Sequence, residues 1–173
     1  MRAYTTGDLI FTRSTGLIGW LIRLGTAFWR EVKDEGWIPN HVGILSQERG
    51  ELQVYEATSS KDGVASTPLR KYLRKHRDYR IVRVSCRGEW KLIKKMLRTY
   101  DGVPYEKWLK MPSVAFDRNN GTDSHLFCSE LAMRVLRVCP SLQWLFHLPV
   151  NNTDPDELYR ITRKHDATFL DRK

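Results

Sequence analysis

The chain has 173 residues, with 29 Lys and Arg against 20 Asp and Glu and a net charge of +9. That length fits one domain, 1–173, able to bury a core of its own, and three cysteines without a C-x-x-C spacing exclude a disulfide scaffold or a structural zinc site. The cationic surplus favours an anionic partner, whether nucleic acid, a cell-wall polymer or a membrane face, without choosing among them.

The opening MRAYTTGDL has no apolar run behind a basic start and no small-residue cleavage site, so it does not read as a secretory signal and the default expectation is cytoplasmic. Delivery elsewhere by a phage or effector route is compatible with that reading. GDLIFTR, Gly7 to Arg13, predicts a first strand. Thr15 to Arg30 predicts an amphipathic helix, whose apolar stretch LIGWLIRLGTAFW is broken by Arg23 and falls short of a bilayer span, so it packs on the domain. Glu31 to Asn40 contains Gly36 and Pro39 and predicts a loop. HVGILS and ELQVYEAT predict two strands around the linker QERG, and YRIVRV, Tyr79 to Val84, a third.

Between the last two strands, Thr67 to Lys75 reads as a short helix with Thr67 as cap and Pro68 at its first position. From Gly88, the residues Trp90, Ile93, Leu97 and Tyr100 recur at helical spacing before Gly102 ends the segment. Val103 to Ser124 looks irregular. A helix from Phe127 to about Val138 carries Cys128, and a capped helix begins near Asp154. The pattern is an α+β domain, a central antiparallel sheet packed against helices. The basic runs RKYLRKHRDYR and KLIKKMLR read as solvated helix faces, because neither carries an RNA-binding or helix-turn-helix signature, and nucleic acid is not favoured.

If the linker QERG is a four-residue loop, Ser46 pairs with Glu51 and His41 falls directly opposite Glu56. Opposed residues share a face, so the carboxylate could orient the imidazole and stabilise its protonated form. Cys128 stands at a helix start, where unpaired N–H groups and the helix dipole favour a thiolate and could hold an oxyanion. Periodicity alone would make Cys128 a packing residue, as buried cysteines usually are. Cys86 and Cys139 are read that way, without a partner. Of the other histidines, His125 precedes Cys128 in an approach of unspecified orientation, His76 reads as solvated, and His147 and His165 have no acidic or cysteine context. His41 is the best base because it alone comes with a carboxylate partner.

The order GDLIF, NHVGIL, VYEA, GV followed by an L-x-x-Y-L helix, GVPYE and FCSEL resembles the circularly permuted papain-like cysteine hydrolases, the YiiX-like group of the NlpC superfamily, from Gly7 to about Leu158. In ordinary NlpC-type enzymes the cysteine helix precedes the histidine strand; here, as in the permuted group, the histidine comes first. The resemblance implies a permuted papain-like fold with Cys128 as nucleophile, His41 as general base and then acid, and Glu56 as the residue that orients the histidine. It places Tyr105 and Glu130 at the substrate site, with Glu130 alternatively capping the helix start. Glu106 stands where the family has aspartate, and Asp8 is expected to fix the turn into the first strand.

The activity implied is thiol-dependent hydrolysis, as an amidase or peptidase working through a thioester on a peptide, amide or acyl substrate, with no metal or organic cofactor. Cell-wall peptides, with an anionic polymer such as peptidoglycan meeting the basic surface, are the favoured substrate class. A lipid or ester acyl hydrolase or transferase on the same triad is the alternative, resting on Leu17 to Trp29 as a membrane-facing segment, which is not favoured over core packing. A non-enzymatic, basic nucleic-acid-binding protein is the rival from another class.

Overall fold

The structure is a computed structural model, and it describes residues 4–13, 37–84, 86, 88–105, 126–150, 153–165 and 168–172. The predicted helix over 15–30, most of the segments over 31–40 and 103–124, Glu106 and His125 lie outside the described residues.

Six strands form one antiparallel sheet: β1 (Leu9–Thr12), β2 (His41–Glu48), β3 (Glu51–Thr58), β4 (Gly63–Pro68), β5 (Tyr79–Arg83) and β6 (Thr168–Arg172), in the order β4-β3-β2-β1-β5-β6. Among the described residues four α-helices accompany it: α1 (Leu69–Lys75), α2 (Trp90–Tyr100), α3 (Cys128–Leu136) and α4 (Pro155–Lys164). Short 3₁₀ turns cover Ser59–Lys61 and Pro140–His147. The fold is α+β, as the sequence predicts.

Strand alternation divides the core into two layers. Leu9, Phe11, Val42, Ile44, Tyr55, Ala57 and Val82 face α2, α3 and α4, meeting Ile93, Leu97, Leu131, Val135, Leu158 and Tyr159. Ile10, Leu45, Val54 and Ile81 face the other way, onto Leu69 and Tyr72 of α1. The residues that α3 buries, Leu131, Val135 and Leu136 among them, anchor it over the middle of the sheet.

Two sequence expectations are corrected. The β2–β3 connection is a two-residue turn, with Glu48 opposite Glu51 and Ser46 opposite Gln53, so the register lies two residues from the one expected. Arg49 and Gly50 both have positive φ, 48° and 86°, the twist that lets a two-residue hairpin turn follow its strands. Thr67 does not cap a helix: it pairs with Val54 in β4, which runs to Pro68 before α1 begins at Leu69. A proline is tolerated there because β4 is an edge strand. Trp90 keeps the helical spacing but stays 45% exposed, whereas Ile93 and Leu97 are buried.

The turn before β1 forms as expected of Asp8, whose carboxylate accepts from Thr5 N at 2.8 Å and pairs with Arg83 Nε at 3.3 Å. Burial pushes this carboxyl up, against the pull of Arg83 and Thr5. α4 starts where predicted, with Asp154 accepting from Glu157 N at 2.7 Å.

Candidate active site

The site forms at the end of the sheet where β2 begins. The chain entering β2 is held by Trp37 Nε1, which donates to Asp78 Oδ1 at 2.7 Å, and by Asn40 N, which donates to Thr12 O at 3.1 Å. These bonds fix the position of His41, the first residue of the strand and the partner of Thr12 on β1. Helix α3 covers one face of the sheet, and Cys128 opens it. His41 and Glu56 belong to the other face, so thiol and imidazole meet at the strand end.

His41 Nε2 lies 2.7 Å from Glu56 Oε2. A carboxylate can only accept, so Nε2 carries the proton and donates, which leaves Nδ1 to face Cys128, the other hydrogen-bond partner of the ring. Both side chains are largely enclosed, 18% and 8% exposed. They are not opposed as the four-residue loop implied: continuing the register one residue past the Ile44–Tyr55 pair brings Glu56 level with Gly43, so the contact to His41 is diagonal. A slip of two residues keeps both on the same face, and a glutamate is long enough to cover the diagonal.

The electrostatics favour a charged pair. Burial pushes the His41 imidazole down, but the Cys128 sulfur and the Glu56 carboxylate outweigh it and raise its pKa to about 10. Burial pushes the Cys128 thiol up, yet His41 and the backbone N–H groups of Val42 and Ser129 pull it below its ordinary value. Glu56 is likewise held below the usual carboxylate range: burial opposes this, and the bond to His41 and the nearby Lys61 overcome it. Lys61 Nζ stands 3.9 Å from Glu56 Oε1. Each of these shifts is in the direction that favours a thiolate beside an imidazolium, backed by a carboxylate.

Tyr105 sits next to this pair. Its backbone bridges to Leu126, its ring meets Phe127 edge-on with centroids 5.9 Å apart, and burial and the Cys128 charge push its hydroxyl up. Gly63 makes room for this strand of chain, since a Cβ there would stand 2.6 Å from Val103 O. Glu130 turns its carboxylate to the helix itself, accepting from Phe127 N at 3.5 Å and from Arg134 Nη2 at 2.8 Å. That is the capping geometry of the two roles left open for it.

Three residues near the site were not singled out from the sequence. Lys61 lies in the turn after β3. Tyr72 and Thr12 are almost fully buried, 2% and 1% exposed, and the Tyr72 hydroxyl lies near both Glu56 and the Thr12 hydroxyl. The two oxygens are near enough to influence one another, but neither meets the geometry of a hydrogen bond. Burial, then the Glu56 carboxylate, pushes the Tyr72 hydroxyl well above its ordinary value. The only sequence signal was a polar residue ending the apolar run of β1 and a tyrosine on the core side of α1.

His76, Cys86 and Cys139 read differently from the sequence expectation. His76 is half-buried and stacks on Tyr72 with centroids 4.4 Å apart, and burial lowers its pKa. His165 stacks on Trp144 at 4.6 Å. Cys86 and Cys139 are not without a partner: they hydrogen-bond each other, and this contact, with burial, pushes Cys86 up. Among the described residues no three His, Cys, Asp or Glu side chains gather as a metal ion requires, and no helix is long and apolar enough to cross a membrane.

Geometry and sequence order now meet the comparison with known families. The model of the permuted papain-like amidases, YaeF/YiiX, C92 family, matches residues 3–161. The chain belongs to this family. Its fold is shared with a solved structure described as the metalloprotein YiiX from Escherichia coli O157:H7, with a TM-score of 0.63 at 17% identity over 98% of this chain and 97% of that one. A comparison with curated proteins gives no match. Membership of the permuted papain-like amidases makes a thiol hydrolase of the amidase type the coarse description of this chain, with peptide or amide substrates.

Proposed function

We propose that Cys128, His41 and Glu56 form the catalytic triad of a cysteine amidase or peptidase, carried by a single domain, 1–173. The observation that carries this reading is the unbroken chain from thiol to imidazole to carboxylate at the first residue of α3, with His41 Nε2 bonded to Glu56 Oε2 at 2.7 Å. The direction of each shift, imidazole up and thiol and carboxylate down, is the one that nucleophilic catalysis needs.

In the reaction the Cys128 thiolate attacks the substrate carbonyl carbon, and its electron pair forms the C–S bond while the C=O pair moves to oxygen. N–H groups at the start of α3, with the positive end of the helix dipole behind them, stabilise that oxyanion. The tetrahedral intermediate collapses as His41 Nδ1 gives its proton to the leaving nitrogen, releasing the amine and leaving a thioester on Cys128. His41, now neutral, takes a proton from water, whose oxygen attacks the thioester; the acid leaves and the thiolate–imidazolium pair returns. Glu56 keeps the ring in the tautomer and orientation that both steps use. Tyr105, beside the thiol, would line the acyl site. None of these steps uses a metal.

For the substrate, the basic surface supports an anionic polymer that carries peptide or amide bonds, such as peptidoglycan. The decisive experiment traps an acyl adduct on Cys128 with an activity-based electrophile and screens wall peptides as competitors. A single adduct on Cys128, lost in His41→Ala and suppressed by a wall peptide, is expected. Equal labelling of Cys86, Cys128 and Cys139 in the native protein would remove the triad; a Cys128 adduct that no peptide suppresses would remove only the substrate class.

A further inference from the structure

Helix α2, WKLIKKMLRTY, contains no acidic residue. Its apolar side is formed by Ile93 and Leu97, both buried, with Met96 and Tyr100 packed beside them. Projected at 3.6 residues per turn, the opposite arc runs Trp90, Lys94, Arg98, Lys91, Lys95, Thr99, Leu92. It is a stripe of four cations, edged on one side by Trp90 and on the other by Leu92, which are 45% and 44% exposed.

This arrangement is unfavourable in water. Lys91 and Lys95, and Lys94 and Arg98, are like charges four residues apart, where they repel. Lys91 also stands in the first turn, at the positive end of the helix dipole. A solvated helix face normally interleaves acids with its bases; here the ion pair seen is Arg98 Nη2 with Glu48 Oε2 at 3.1 Å, at the far end of the stripe. The ammonium groups of Lys91 and Lys94 lie over the Trp90 ring, 5.4 and 5.3 Å from its centroid.

The face is also held rigidly outward. Before the helix, the Glu89 carboxylate accepts from Ser141 N at 3.2 Å; after it, Gly102 N donates to Val64 O at 2.9 Å and Val64 N donates to Val103 O at 2.8 Å. An open groove follows the stripe, lined by Trp90, Lys91, Lys94, Lys95, Arg98 and Thr99.

We propose that this face of α2 docks the protein on the surface of an anionic lipid bilayer. The cations take headgroup phosphates, which relieves their mutual repulsion, while Trp90 and Leu92 enter the interfacial layer where an indole is well accommodated. The apolar edges decide for a bilayer over a dissolved polyanion. A nucleic acid or wall polymer would neutralise the stripe but leave Leu92 wet, and the Trp90 ring, already covered by ammonium groups, offers no clear platform for a stacking base. The inference does not depend on the reaction at Cys128, which lies on a different helix.

The full chain is sedimented with vesicles of phosphatidylcholine alone and of phosphatidylcholine with phosphatidylglycerol, in parallel with binding to heparin in solution. Binding is expected only to the anionic vesicles, weakening as salt rises. The triple variant Lys91→Gln, Lys94→Gln, Lys95→Gln should lose roughly a hundredfold in vesicle affinity, and Trp90→Ala should lose several-fold at unchanged heparin binding. The alkylation rate of Cys128, unchanged in both variants, shows that they remain folded. Equal partition onto both vesicle types, no vesicle binding at all, or a Trp90→Ala variant that binds anionic vesicles as tightly as the parent would each overturn the proposal.

Discussion

Glu56 reaches His41 along a diagonal just past the Ile44–Tyr55 end of the β2–β3 ladder, Oε2 to Nε2 at 2.7 Å. The contact fixes both the ring plane and its tautomer, because the carboxylate claims Nε2–H and leaves Nδ1 to the thiol. Glu56→Gln can still orient the ring but no longer carries the charge that helps hold its pKa near 10. Amidase turnover should fall on the order of a hundredfold, and the alkaline limit of activity should move to lower pH as the imidazolium is lost earlier. A pH–rate profile of the variant with the same alkaline limit as the parent would rule out this role.

The thiolate–imidazolium pair predicts a pH window for stability. His41 is raised from 6.5 to about 10, so its contribution is complete below pH 6.5 and is lost as pH climbs through 10. Cys128 is lowered from 9.0, so its contribution is complete above pH 9.0 and is lost as pH falls through its folded value. Summed over the coupled pair, the gain shrinks above pH 9.0, where Cys128 adds nothing further and His41 goes on losing its proton through 10. The melting-temperature difference between the parent and Cys128→Ser should shrink over that range. At neutral pH iodoacetamide should modify Cys128 far ahead of Cys86, whose thiol is pushed up by Cys139 and burial. His41→Ala should slow this modification at neutral pH by roughly tenfold or more.

What the sequence could reveal of this site depended on the range of the interactions. Cys128 at a helix start and the shared face of His41 and Glu56 follow from local periodicity, and the face survives because an error of two residues preserves strand parity. The register itself was hidden by the turn: Arg49 adopts a positive φ usually signalled by Asn or Gly, so Gln47 and Glu48 looked like loop rather than strand. β4 was concealed by Gly63 and Pro68, both breakers, which an edge strand accepts. The Cys86–Cys139 contact and the placing of Tyr72 behind Glu56 join segments far apart in the chain, and no local pattern encodes them.

Glu130 offers a separation of structure from catalysis. Its buried carboxylate caps α3 at Phe127 N and pairs with Arg134. Glu130→Ala removes the cap and leaves a partly buried guanidinium without its acid, and should destabilise the fold by about 2–4 kcal/mol. Measured at a temperature where the variant is folded, the pH dependence of Cys128 alkylation should be unchanged. A fall in kcat/KM much larger than the change in alkylation rate would instead place Glu130 in contact with substrate.

Tyr72 yields a prediction opposite in sign to most buried substitutions. Its hydroxyl lies in the core without a completed hydrogen bond, facing Thr12 Oγ1, which has none either. A buried polar group left unsatisfied carries its desolvation cost with no compensating bond. Tyr72→Phe keeps the ring, its stacking on His76 and its packing against α1's side of the sheet, and removes only that oxygen. Chemical denaturation should therefore find the variant as stable as the parent or more stable, by up to about 1–2 kcal/mol. Removing the hydroxyl dipole beside Glu56 should also shift the alkaline limit of Cys128 reactivity, through the carboxylate that holds His41. If Tyr72→Phe proves destabilising by a similar amount, the hydroxyl is hydrogen-bonded in solution, with Thr12 or Glu56 its nearest partners.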